Sequence, residues 1–197
     1  MGKIICLMGK SSTGKDTIFK RLLEREDLGL KTIVPYTTRP IRVGEQEGVE
    51  YHFTDEAGYQ NLLQAGKIIE DRAYHTVHGL WRYFTVADDS VDLSKDCYCV
   101  IGTLEAYTQI RDYFGMQQVL PVLIEVDDGV RLQRALDRER SQEHPRYEEM
   151  CRRFLADSKD FCPEKIAEAE IKKIFYNESL ENCLEEIVTY IRENADI

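Results

Sequence analysis

The residues with the plainest chemical potential are Gly9-Lys10-Ser11-Ser12-Thr13-Gly14-Lys15-Asp16-Thr17. Gly9 and Gly14 bracket four residues and Lys15 follows, giving the spacing G-x-x-x-x-G-K. Glycines at those points let the backbone curl until successive N–H groups point at one anion. Lys15 adds a point charge suited to β- and γ-phosphate oxygens, and a helix starting here adds the positive end of its dipole. The apolar run Lys3-Ile4-Ile5-Cys6-Leu7-Met8 precedes the loop, and a stretch with Ile18, Phe19, Leu22 and Leu23 on one face follows it. A strand entering and a helix leaving is the setting in which this spacing cradles phosphates, so residues 9–17 read as an ATP-binding P-loop with Lys15 as a catalytic cation. Ser or Thr usually follows the lysine and meets Mg²⁺, but this chain has Asp16 and then Thr17. A carboxylate there can hold the ion directly or through water, so Asp16 is read as a metal ligand, with helix capping as the alternative.

A second constellation follows: Tyr36-Thr37-Thr38-Arg39-Pro40-Ile41-Arg42, then Gly44-Glu45 and Gly48-Val49-Glu50-Tyr51-His52-Phe53. Two arginines three apart beside a tyrosine suit a small phosphate, because guanidinium forks bind its oxygens bidentately. This run closely resembles the monophosphate-binding region of guanylate kinases, which reads TTR-x-x-R-x-GE-x-x-G-x-x-Y-x-F. The resemblance extends over nearly the whole chain in element order and is specific in the phosphate loop and in this segment. It implies a P-loop NTPase-type parallel sheet flanked by helices, with a small β-rich acceptor-binding subdomain and a helical lid.

Carried onto this chain, the resemblance implies that Arg39, Arg42 and Tyr51 hold the acceptor's phosphate and that Glu70 binds guanine. It places Tyr83 at a second phosphate-binding tyrosine and Thr85 at a small hydroxyl residue. It makes Arg134, Arg138 and Arg153 lid arginines that close on the phosphates during transfer, and Asn177 a neighbour of the ATP base. Arg131, Arg134 and Arg138 stand at i, i+3 and i+7, so one helix face carries all three, and a solvated charged face is the plainer reading of such a run. The implied activity is Mg²⁺- and ATP-dependent phosphorylation of a nucleoside monophosphate, with GMP or dGMP first. The partners are then small-molecule nucleotides, with the chain a monomer or homodimer.

The chain departs from the family where Pro35 replaces a serine and where Ile101-Gly102-Thr103 replaces acidic residues. Glu45, Glu105, Glu125 and Asp127 are the candidates to compensate in the base pocket or around Mg²⁺. The GKD loop also resembles that of ribose 1,5-bisphosphate phosphokinases, though those usually lack the full segment ending at Phe53. A non-catalytic guanylate-kinase-like binding module is a third reading, and the intact Gly9, Gly14 and Lys15 argue against it.

These residues need positioning elements, and the apolar periodicity supplies them. It predicts strands over 3–8, 32–36, near 49–53, 97–102, 119–126 and 172–176, with several short strands in 67–85. It predicts helices over 14–26, 55–65, 103–113, 128–143, 146–161 and 179–194, with Asp55 near a start and Gly66 as a stop. Strand–helix alternation implies an α/β chain with a mostly parallel sheet. No repeat or linker interrupts its 197 residues, so one domain is expected. Its core is about 1–34, 95–127 and 164–197, the acceptor-binding part about 35–90 and the lid about 128–162. The turn at 74–85 is longer than the family's, and His75 and His78 within it read as loop or core residues rather than zinc ligands.

Composition narrows the remaining classes. The net charge of −10 argues against general binding to nucleic acid or anionic membranes. No apolar run approaches the ~20 residues that cross a bilayer. The start shows no basic n-region or cleavage site, and Cys6 stands where a myristoylation signal wants Ser or Thr. Six cysteines without a CxxC pair suit buried or free thiols in a reducing compartment, so a cytoplasmic protein is expected.

Overall fold

A computed structural model of the chain describes residues 2–42, 44–76, 79–88 and 90–195. The first apolar run forms β1 (Ile4–Met8), with all five residues buried. A strand covered on both faces has no polar side to show, which is why its sequence is continuously apolar. Its neighbours are β7 (Tyr98–Ile101) and β8 (Val119–Glu125), while β2 (Lys31–Thr32) and β9 (Ile174–Tyr176) form the edges. The order is β2-β7-β1-β8-β9, and every pairing is parallel.

Alternate residues of β1 serve opposite layers. Ile5 and Leu7 join Ile18 and Leu22 of α1 (Lys15–Leu23) and Leu184, Ile187 and Ile191 of α7 (Leu180–Asn194). Ile4, Cys6 and Met8 join Leu104, Tyr107 and Ile110 of α3 (Leu104–Phe114). The result is a parallel sheet flanked by helices on both faces. Fully burying each such aliphatic side chain contributes about 1.5–3 kcal/mol, so the loop leaving β1 starts from the best-packed strand of the sheet.

A second sheet has the order β4-β3-β6-β5, built from β3 (Tyr36–Thr37), β4 (His52–Phe53), β5 (Ile68–Thr76) and β6 (Gly79–Val86). The single strand expected over 32–36 is therefore two. Lys31 and Thr32 pair with β7, whereas Tyr36 and Thr37 pair antiparallel with β6. Pro35 lies between them and has no N–H for a ladder; its carbonyl accepts from His52 N at 2.9 Å. The several short strands expected over 67–85 are instead one long antiparallel pair, running from Ile68↔Val86 to Thr76↔Gly79 with a bulge between Ile68 and Glu70. Polar residues conceal this continuity in the sequence because they are partnered. Arg82 Nε meets Glu56 at 3.0 Å, and its guanidinium lies 4.2 Å from the Tyr59 ring. His75 lies in β5, while His78 lies outside the described residues.

The helix α2 (Glu56–Gln64) begins where the Asp55 carboxylate accepts from Gly58 N at 2.7 Å, and Gly66 beyond its end takes φ 65°. Its Tyr59 packs with Phe84 and Val86 of the second sheet. The two charged helices are α4 (Asp128–Arg140) and α5 (Tyr147–Asp160), each slightly shorter than predicted. A further short helix, α6 (Pro163–Glu168), opens on a proline, which suits a first turn. The two sheets are clasped by Gln109 of α3, which accepts from Asp71 N at 3.1 Å and donates to Asp71 O at 3.3 Å. Among the described residues no helix is long and apolar enough to cross a membrane.

Candidate active site

Residues 9–17 leave the carboxyl end of β1 and enter α1, as the phosphate-loop reading requires. The two glycines are needed on steric grounds. A Cβ at residue 9 would stand 2.5 Å from the Ile124 carbonyl oxygen, and one at residue 14 would stand 2.6 Å from Asn177 Nδ2. Gly14 also takes φ 86°, where an L side chain is disfavoured. Ser12 adopts φ 66° without being glycine, a local strain of the kind held at ligand sites. Gly14 occupies the N-cap position of α1, so Asp16 is not the N-cap residue. Asp16 stands exposed in the first helical turn beside Thr17, while Lys15 is half-buried.

Asn177, expected beside the ATP base, lies beneath the loop. It is buried, donates Nδ2 to Thr13 O at 2.8 Å, and donates its backbone N–H to Glu125 O at 2.8 Å. Thr13 Oγ1 in turn donates to Lys10 O at 3.0 Å. These bonds tie the loop to the ends of β8 and β9. A cavity of about 290 Å³ opens beside it, lined by Lys10, Thr13, Glu125, Asp127, Asp128 and Tyr176 among others.

The helices α4 and α5 bring charge to the loop's other side. Arg134 Nη1 reaches Ser12 O at 3.4 Å and Arg153 Nη2 reaches Ser11 Oγ at 3.4 Å. Arg138 is exposed and meets no acid among the described residues. The deepest arginine is Arg131, which the sequence reading counted on the charged face but did not place in the site. It is 1% exposed and donates Nη1 to Ser11 O at 2.9 Å. Its Nη2 and Nε meet Asp128 Oδ1 at 2.8 and 3.0 Å, and Phe154 lies 4.7 Å beneath the guanidinium. Asp157 of α5, also missed, accepts from Ser11 N at 2.7 Å. A carboxylate thus stands on a loop amide. The signal in the sequence was Asp128 one turn before Arg131, an i, i+3 acid–base pair.

The second constellation gathers around Arg39, which is 3% exposed. Its Nη1 and Nη2 form a fork on Glu45 at 2.8 and 2.6 Å, and Glu45 also accepts from Arg42 N at 2.8 Å. The Arg39 guanidinium holds the Glu45 carboxyl down at about 2. Tyr51 and Phe53 lie 5.1 and 5.6 Å from that guanidinium, and Tyr83 lies edge-on to Tyr51 at 5.6 Å. Burial raises the Tyr51 hydroxyl above its usual range. Arg39 Nε is buried without a partner among the described residues, so this tightly held cation keeps one donor unused by them. The Arg42 side chain is exposed.

Glu70 is buried on β5, and Thr85 of β6 donates Oγ1 to its Oε1 at 2.8 Å. The residues weighed as compensating acids have other duties. Glu45 belongs to Arg39, the Asp127 carboxylate caps α4 by accepting from Gly129 N at 2.9 Å, and Glu125 lines the cavity beside the loop. Glu105 is exposed in the first turn of α3, whose N-cap is Thr103, accepting from Ala106 N at 3.2 Å.

The guanylate kinase family model matches residues 1–194. A guanylate kinase from Chromohalobacter salexigens is 33% identical over 114 residues, 57% of this chain and 51% of that protein. One from Neisseria meningitidis serogroup A is 35% identical over 113 residues, 56% of this chain and 53% of that protein. The matched segments thus span about half the length of these curated relatives. The crystal structure of guanylate kinase from Anaplasma phagocytophilum superposes with a TM-score of 0.69 at 19% identity, covering all of this chain and 87% of that one. That likeness establishes the fold, of P-loop NTPase type, and the family match extends nearly from end to end. The chain belongs to the guanylate kinase family.

Proposed function

We propose that the chain transfers the γ-phosphoryl group of ATP to a nucleoside monophosphate, with GMP or dGMP as the acceptor. The observation that carries this reading is the presence of two anion sites of different construction in one chain. One is a backbone loop at the end of β1; the other is a buried arginine with an unused donor, flanked by Tyr51 and Tyr83. In this reading the protein is one domain, with residues 35–90 binding the acceptor and 128–162 acting as the lid.

The residues present suit Mg-ATP. At Gly9 and Gly14 a Cβ would meet Ile124 O and Asn177 Nδ2, so glycine lets the loop hold its tight curl with Lys15 at the start of α1, and Asp16 offers one exposed carboxylate. Among the described residues no three His, Cys, Asp or Glu side chains cluster as a metal cage. Mg²⁺ is commonly held by one or two carboxylates together with phosphate oxygens and water, so the single acid fits. When bound, the ion would neutralise charge on the transferring phosphates.

The protein's part is positioning and charge. Lys15 and the amides at the start of α1 hold the donor phosphates, and the cavity between Lys10 and Tyr176 takes the donor nucleoside. Arg39, Arg42, Tyr51 and Tyr83 place the acceptor phosphate in line, with Glu70 and Thr85 at its base. Arg134, Arg138 and Arg153 close over the transferring group, and closure excludes the water that would hydrolyse ATP. The test is an ADP-release assay against GMP, dGMP, AMP, UMP, CMP and ribose 1,5-bisphosphate. GMP and dGMP should give the highest turnover. No turnover with any acceptor, despite ATP binding, would leave a binding module.

A further inference from the structure

Glu70 does not stand alone in the base pocket. Arg72, two residues along β5 and so on the same face, donates Nε to Glu70 Oε2 at 3.0 Å and Nη2 to Oε1 at 3.3 Å. Thr85 bonds the same Oε1, so that oxygen carries two donors and Oε2 carries one. Arg72 keeps Nη1 without a partner among the described residues. Between the two side chains, Asp71 is pinned through its backbone by Gln109, which fixes the strand where the pair projects. Arg72 also lies close enough to Tyr51 for the two to interact electrostatically.

This arrangement changes what the pocket can read. An ionised carboxylate only accepts, and a guanidinium only donates. The Thr85 hydroxyl spends its proton on Glu70 and has none for a base. Among the described residues that bond the Glu70 carboxylate, the one with a donor left for a base carbonyl is therefore Arg72. Guanine sets an N1–H donor beside a 6-oxo acceptor, which complements an acceptor beside a donor. Adenine reverses the two, and a phosphate anchored at Arg39, Tyr51 and Tyr83 does not let the base slide to restore the match.

We propose that Arg72 is a specificity-determining residue that reads the 6-oxo group of the acceptor base, while Glu70 reads its N1–H. The inference rests on the reading of a purine monophosphate as the acceptor. It gives the pocket a new polar partner in place of those lost with Pro35 and Thr103.

The experiment compares kcat/KM for GMP, for IMP, which lacks the 2-amino group, and for 6-thio-GMP, which keeps N1–H and the 2-amino group but puts a weakly accepting sulfur in place of the 6-oxo oxygen. A hydrogen bond to a charged group is worth a factor of about 10 to 100 and sulfur accepts only weakly, so the wild type should prefer GMP over 6-thio-GMP by about 10-fold or more. Arg72→Met should shrink this gap to a few-fold while leaving the GMP-to-IMP ratio nearly unchanged. Removing the cation from beside buried Glu70 threatens folding, so Arg72→Lys is the second variant. It keeps the charge but lacks the fork, and should narrow the same gap.

A wild type indifferent to the 6-oxo group, or a gap that survives both variants, overturns the proposal. A change in the GMP-to-IMP ratio alone also overturns it, because Arg72 would then act on recognition of the 2-amino group rather than of the 6-oxo group. If GMP is turned over and the gap is unaltered, this inference alone fails. If no purine monophosphate is turned over, the activity reading fails and takes the inference with it.

Discussion

The two proposed anion sites of this chain would solve similar problems with different materials. The loop after β1 is built from backbone, with glycines that sterics demand and carbonyls tied down by Asn177 and Arg131. The site in the second sheet is built from side chains, with Arg39 forked on Glu45 and Arg72 forked on Glu70. A backbone cradle binds any polyphosphate of the right shape, whereas paired side chains can be exchanged one at a time to change what is recognised.

The largest effect is expected in the loop. Lys15→Ala should lower turnover by about 10²–10³-fold without altering the fold, since the half-buried lysine is no part of the apolar core. Near-normal turnover would refute the donor assignment and dissolve the contrast between the sites.

The next effect should divide the sites. Arg39→Ala should raise the acceptor KM by about 10- to 100-fold and change the KM for ATP far less. Equal rises in both constants would mean that Arg39 supports the whole enzyme rather than one ligand. The variant also strands Glu45, so Arg39→Lys is the control for loss of the fork.

The smallest effect concerns pH. Arg39 depresses the Glu45 carboxyl from 4.5 to about 2, so in the folded chain it stays charged where the unfolded chain would protonate it. The stability this supplies is present above pH 4.5 and is lost as pH falls towards 2. Glu45 is partly solvated, so the loss should be modest. Urea midpoints between pH 6 and pH 3 should fall less for Glu45→Gln than for the wild type; parallel curves would deny the pair any linkage.

The difference in materials also explains what was legible in the sequence. The loop was readable because its spacing is a steric necessity, and β1 was readable because a doubly covered strand is apolar throughout. The arginine segment was readable through its resemblance to the family. Asp157 and Arg131 were not, because a helix period says which residues share a face but not which of them turns inward. Arg72 was hidden for a related reason. In sequence it is one charge among Glu70-Asp71-Arg72; the β5–β6 register sets Thr85 opposite Glu70, and only the side-chain contacts show Arg72 closing on that carboxylate. The long β5–β6 pair was missed because its polar residues are satisfied across strands and by α2, which broke the apolar alternation.

The central claim is that one site supplies a phosphoryl group and the other receives it. It is tested most directly by incubating the protein with GMP and ATP labelled in its γ-phosphoryl group, then locating the label. The account predicts labelled GDP, with little labelled inorganic phosphate. Label found only in inorganic phosphate, or left wholly in ATP, would contradict it.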